Sequence, residues 1–155
     1  KNRHYVKEIL PEIINDAIHK KYSVGLAIFD IDYFKHINDK YGHSVGDECL
    51  VLFAQKMRLI FNAKEDISIR YGGEEFLLVS INKSSQDFIK LLEEFKHAIE
   101  NMALQHEKEI KFTVSIGYTF HQSLTEWDSK LLIEPDKNLY HSKKTGRNKI
   151  TGNLL

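Results

Sequence analysis

Apolar residues recur every four positions through Tyr5/Val6, Ile9/Leu10, Ile13/Ile14 and Ala17/Ile18. That is the stripe of an amphipathic helix over residues 3–20, with Pro11 either kinking it or starting a second segment. The period then changes. VGLAIF (24–29) is apolar at every position, as in a strand covered on both faces, and it delivers Asp30 and Asp32 at its C-terminal end. Helical spacing returns over 33–41 and 45–61, broken by Gly42-His43-Ser44. Residues 67–71 and 76–81 read as strands joined through Gly72-Gly73, and a glycine pair signals a hairpin because it accepts positive φ freely. Ser85 is expected to cap a long helix reaching about residue 106. KFTVSIGYTF (111–120) alternates as a strand, and 131–144 reads as a last helix stopped by Gly146.

Helix, strand, two helices, hairpin, helix, strand, helix is the order of an α/β sandwich with a mixed central sheet flanked by helices. A hairpin beside a parallel-type strand suits a ferredoxin-like core. The 155 residues fit a single domain, 1–155, with no visible linker or repeat. Hydrophobic residues at 42% and charged residues at 28% place it among ordinary globular chains. Lys plus Arg and Asp plus Glu balance at 22 each, so no global basic field exists to hold a nucleic acid, and any anion site must be local. The lone Cys49 reads as a buried apolar thiol, and with no apolar run of membrane length the domain is expected to be cytoplasmic. A membrane tether elsewhere in a longer protein stays compatible with this reading.

The charged positions change the picture most in RYGGEEFLLV (70–79), where Glu74 and Glu75 stand at the mouth of an apolar strand. Adjacent like charges on rigid backbone are costly unless a cation sits among them. Asp30 ends one strand where Glu74 begins another, so neighbouring strands would gather acids at one sheet edge. Magnesium suits such a set, with the Ile31 carbonyl as a further oxygen. Gly72 and Gly73 let a bulky substrate approach the backbone. Lys143 and Arg147, four apart, would share one side if helical geometry persists past Gly146, and could neutralise a polyphosphate. In FKHINDKYGHSVGDECL (34–50), Asn38 and Asp47 flank a glycine turn, and a carboxylate matches the two donors on the N1 and N2 edge of guanine.

Each element also has a plainer explanation. Asp30 and Asp32 would serve as helix caps, Asn38 and Asp47 as turn residues, and Lys143 and Arg147 as a solvated helix end. His36 and His43 read as packing or hydrogen-bonding residues. Glu74-Glu75 resists this treatment, because a solvated surface turn does not explain the unbroken apolar strand that follows.

RYGGEEF resembles the signature of the GGDEF domain, in its GGEEF form, of bacterial diguanylate cyclases. FDIDYFKHINDKYGHSVGDECL (29–50), TVSIGYT (113–119) and DKNLYHSKKTGRNKI (136–150) resemble further family blocks in the same order. The resemblance implies a palm-like nucleotidyl cyclase fold and condensation of two GTP into cyclic di-GMP. It implies Mg2+ or Mn2+, two ions per site, on Asp30, Glu74, Glu75 and the Ile31 carbonyl. It implies phosphate contacts from Phe34, Lys35, Lys143 and Arg147, and guanine reading by Asn38 and Asp47. One domain would hold one GTP, so turnover would need a homodimer, under an upstream sensory or regulatory domain from which this chain is an excised piece.

Two departures bear on function. Many members carry an Arg-x-x-Asp product-inhibition site ending six residues before the first signature glycine; here the window is Ala63-Lys64-Glu65-Asp66, and that site is expected to be absent. The family's opening block before Asn2-Arg3 is also missing. Asp47 argues for guanine, since a variant subgroup making mixed cyclic GMP-AMP has serine there. Two rival readings are a catalytically silent domain binding GTP or cyclic di-GMP, and a nucleic-acid-binding module. The first sits poorly with the retained Asp30, Glu74, Glu75 and Lys143. The second fails because Glu74-Glu75 fall where an RNA-recognition signature needs stacking residues.

Overall fold

The computed structural model describes residues 3–104 and 109–155. The hydrophobic stripe at the start forms α1 (Arg3–Glu8) and α2 (Leu10–His19), with Pro11 in the first turn of α2, where its missing N–H costs nothing. There follow β1 (Val24–Ile31), α3 (Phe34–Tyr41), α4 (His43–Ile60), β2 (Asp66–Arg70), β3 (Glu75–Ile81) and α5 (Ser85–Glu100). The chain closes with β4 (Val114–His121), a 3-10 turn (Ser129–Leu132), α6 (Ile133–Lys144) and β5 (Ile150–Leu154).

The five strands form one sheet in the order β2-β3-β1-β4-β5, antiparallel throughout except for the parallel β4/β5 pair. The mixed α/β sandwich expected from the sequence is therefore the fold. β1 is buried at every position because both faces are covered. Ala27, Phe29 and Ile31 pack with α4 and α5 on one side, while Leu26 and Ile28 pack with Leu10 and Ile14 of α2 and Leu139 of α6 on the other. Side chains alternate along a strand, so Asp30 continues the second set and points to the α6 side. Phe29 and Phe76 are opposite each other across β1/β3, and both rings contact Phe53 of α4, at centroid distances of 6.4 and 4.8 Å.

Several local expectations are corrected. The cap of α5 is Ser84, whose hydroxyl accepts from Asp87 N–H at 3.0 Å, since it is Ser84 that holds the extended backbone a cap requires. That helix ends at Glu100, where Asn101 closes it, short of the expected residue 106, which lies outside the described residues. β4 starts at Val114, three residues late, and Gly42 alone separates α3 from α4, so α4 begins at His43. Neither Gly72 nor Gly73 adopts positive φ; the glycines that do are Gly42 and Gly146. β5 was not expected at all.

α6 lies directly on β4. A Cβ on Gly117 would come within 2.1 Å of the Leu139 nitrogen and 2.2 Å of the Pro135 oxygen, both backbone atoms that cannot rotate away. Gly117→Ala is expected to separate α6 from the sheet and cost about 2–3 kcal/mol, as overpacked cores do, read as a lower Tm.

Candidate active site

Strand pairing sets the acids. Asp30 is opposite Glu75 in the β1/β3 ladder, and Ile31 N–H reaches the Glu74 carbonyl at 3.4 Å. The turn is closed by Tyr71 and Gly72 N–H groups donating to the Glu75 carbonyl at 2.8 and 3.1 Å. Arg70 holds it from within, donating to the Gly72 and Gly73 carbonyls at 3.3 and 2.7 Å. Arg3 of α1 holds it from outside, donating to the Tyr71 carbonyl at 2.8 Å with its guanidinium 4.7 Å from the Tyr71 ring centre. Gly73 has open space where a Cβ would sit, so the loop presents bare backbone.

Asp30 is only 3% exposed. Burial pushes its carboxyl up to about 6, Lys143 pulls the other way, and Glu74 and Glu75 add to the rise. Lys143, reaching down from α6, donates to Asp30 Oδ2 at 2.6 Å. A cavity of about 400 Å³ beside this pair is lined by Glu75, Asp136, Lys137, Leu139, Tyr140 and Lys143. Asp30, Glu74 and Glu75 thus meet at one end of the sheet, as the strand arithmetic implied, and Lys143 joins them through a bond to Asp30 that the sequence did not announce.

The other expected residues spread outward from that edge. Phe34 and Lys35 open α3, Phe34 packed on the core and Lys35 exposed. Asn38 faces α4, where Gly46 makes room for it: a Cβ there would lie 1.8 Å from Asn38 Oδ1. That oxygen is buried with no hydrogen-bond partner. Asp47 is exposed on α4, at one end of a groove of about 950 Å³ that runs between α4 and β2 toward Arg58 and Ala63. Lys143 and Arg147 do not share a helical face, because α6 ends at Lys144 and Arg147 has φ +61°. Its guanidinium lies 4.5 Å from the centre of the Tyr33 ring.

Asp32 does not cap α3, whose cap position is Tyr33, with no side-chain bond. Its carboxylate, 3% exposed, accepts from Thr113 Oγ1 and Ser115 Oγ at 2.6 Å each and from Asn148 N–H at 3.0 Å. The alternation Thr113-x-Ser115 at the start of β4 was the available signal, since it turns two hydroxyls to one face. Asp66 is likewise committed internally: Ser80 Oγ and Lys83 Nζ donate to its Oδ1 at 2.6 and 2.5 Å, and its side chain is 1% exposed. Cys49 is buried, and burial pushes its thiol up to about 11, which leaves it inert as expected.

Asp30, Glu74 and Glu75 are hard oxygen donors with more negative charge than Lys143 offsets, which fits a magnesium-class ion. Among the described residues no three His, Cys, Asp or Glu side chains stand close enough to enclose a metal by themselves. Water or substrate oxygens would complete the shell of such an ion.

Fold and acidic edge together define an α/β domain of the nucleotidyl cyclase type. Residues 1–149 match the family described as "Diguanylate cyclase, GGDEF domain", and the chain belongs to that family. It is 34% identical over 155 residues to Diguanylate cyclase A of Treponema denticola, covering 97% of this chain and 42% of that protein. It is 32% identical to the response regulator PleD of Caulobacter vibrioides, covering 97% of this chain and 34% of PleD. The chain therefore spans less than half of these relatives. The GGDEF domain of DgcB from Caulobacter crescentus, solved in complex with c-di-GMP, superposes with a TM-score of 0.89 at 28% identity, covering 97% of this chain and 90% of that one. The active GGEEF domain of a Vibrio cholerae diguanylate cyclase gives 0.86 at 25% identity, covering 97% and 96%.

The raised Asp30 has a consequence for stability. The unfolded chain releases this proton near the ordinary 3.8, whereas the folded chain holds it to about 6. The stabilising contribution is whole below 3.8 and is lost as pH rises through 6. Without divalent metal, Asp30→Asn is expected to be more stable than wild type at pH 7 by about 3 kcal/mol, with the gap closing towards pH 4, as read from denaturation midpoints across that range.

Proposed function

We propose that this chain is the catalytic domain of a diguanylate cyclase, condensing two GTP into cyclic di-GMP with release of two pyrophosphates. The observation that carries this is the Asp30/Glu75 rung with Glu74 beside it: a buried carboxylate and two half-buried ones that repel it at one end of the sheet, a costly arrangement that a bound cation would relieve. Asp30, Glu74 and Glu75, with the Ile31 carbonyl, would hold the magnesium ions, two per site on this reading. Bound there, magnesium would neutralise the triphosphate and the charge that builds on the leaving pyrophosphate.

The remaining roles belong to side chains. Lys143 and Arg147 bind the distal phosphates, with Lys143 exchanging Asp30 for the substrate anion. The first turn of α3, Phe34 and Lys35, meets the phosphates with backbone N–H groups at a helix N-terminus, where the dipole favours anions. Asn38 and Asp47 read guanine, and the unpaired Asn38 oxygen is a buried acceptor in want of a donor. Gly72 and Gly73 keep the approach to the turn open. Each 3′-hydroxyl attacks the α-phosphorus of the other GTP, so two domains must face one another, and turnover rises with protein concentration. Regulation by an upstream domain or a separate activator is consistent with PleD being a response regulator and with the solved complex of SiaD, 31% identical here, with its activator SiaC.

Purified protein at high concentration, given GTP and magnesium, is expected to form cyclic di-GMP, and Glu74→Ala to form none; chromatography of the products decides it. If wild type is silent even when dimerised by fusion, the domain binds nucleotide without catalysis.

The Ala63-x-x-Asp66 window lacks the arginine, and its aspartate is already paired with Lys83 and Ser80. Cyclic di-GMP is accordingly expected to inhibit only in competition with GTP. A noncompetitive component in initial-rate plots would show a separate inhibitory site.

A further inference from the structure

The turn that carries Arg147 is held in an expensive conformation. Gly146, Arg147 and Asn148 have φ of +123, +61 and +49°, and for residues with a Cβ such backbone persists only where surrounding contacts impose it. The contacts are on hand. Asn148 N–H donates to buried Asp32 at 3.0 Å, Arg147 N–H donates to the Ser142 carbonyl at 2.9 Å, and Lys96 reaches the Asn148 side chain at 3.4 Å. The turn is thereby fixed to the end of the strand that bears Asp30.

Tyr33 is the counterpart on the other side of the site. It too is left-handed, at φ +56°, an outlying conformation for a bulky residue; it holds the cap position of α3 without a side-chain bond there, and its ring stays out of the core, the residue being 62% exposed. What its ring does is lie under the Arg147 guanidinium, at 4.5 Å, beside the first turn of α3. The guanidinium has one other hold, a 3.4 Å bond to the Lys143 carbonyl.

We infer that Tyr33 is a positioning residue for Arg147, its ring seating the guanidinium in advance where the substrate's phosphates arrive. This rests on the phosphate-binding role proposed above for Arg147. A free arginine loses its rotamer freedom on gripping an anion, and one already stacked on an aromatic face loses less, so the ring contributes to affinity without touching substrate. The hydroxyl of Tyr33 plays no part.

The test is binding of a nonhydrolysable GTP analogue with magnesium, by calorimetry, which requires neither turnover nor dimerisation. Tyr33→Phe is expected to bind as wild type does. Tyr33→Ala is expected to bind about two- to five-fold more weakly, the range for an exposed cation–π contact. Tyr33→Asn, whose side chain suits left-handed backbone, should show the same loss and so separate the ring from the strain. In an Arg147→Ala background, removing the ring should cost nothing more. Wild-type or tighter binding by Tyr33→Ala, with Arg147→Ala impaired, overturns the role of Tyr33 alone. Undiminished binding by Arg147→Ala overturns the phosphate reading of Arg147 and this inference with it. Losses that add in the double variant show that Tyr33 acts independently of Arg147 and overturn the seating.

Discussion

The pairing of Phe29 with Phe76 across β1 and β3 is the constraint on which the site depends. Both rings are buried against Phe53, and Phe29 also meets Phe95 edge-on with centroids 5.2 Å apart. One residue after Phe29 and one before Phe76, the chain has no freedom left: Asp30 and Glu75 must lie opposite each other, with Glu74 next to them. A register slip by one would turn the aromatic rings out of the core, so apolar burial enforces an electrostatic arrangement that the charges alone would reject. The repulsion at the sheet edge is sustained by hydrophobic energy stored beneath it.

Stability and chemistry pull apart at this point. Lys143 offsets part of the cost of ionised Asp30, yet burial still holds that carboxyl well above its ordinary range. Acids elsewhere in the molecule are handled differently. Asp32 is as buried as Asp30, and two hydroxyls and a backbone N–H meet its carboxylate; Asp66 takes the Ser80 hydroxyl and the Lys83 ammonium on Oδ1 and leaves Oδ2 buried without a partner. Asp32, fully met by donors, ties the start of α3 to β4 and to the turn after α6, whereas Asp30 has a single side-chain donor, Lys143.

The sequence disclosed what rests on local pattern. VGLAIF declared a doubly covered strand, and RYGGEEF put acids at a strand mouth; both readings match the sheet. What stayed hidden rests on distant partners. β5 was missed because ITGNL carries a glycine mid-strand, and only the register shows why: Tyr118 lies across Gly152, where a Cβ would be 2.2 Å from its ring. Asp32 looked like a cap because its true partners are 81 and 116 residues away. Lys143 and Arg147 looked like helical neighbours because nothing in their spacing announces three consecutive residues of positive φ.

The same distances govern assembly. β1 pairs with β4 about ninety positions later in the chain, and Lys143 meets Asp30 across 113. Loops of that length must close before any contact rewards them, so the molecule has a high contact order and its folding is slow and cooperative relative to a helical bundle of equal size. The acidic edge needs only β1 and β3 in register, but its counter-charge arrives last, with α6. A nascent or clipped chain that has not yet placed α6 carries the signature turn and its rung without the ammonium that offsets Asp30.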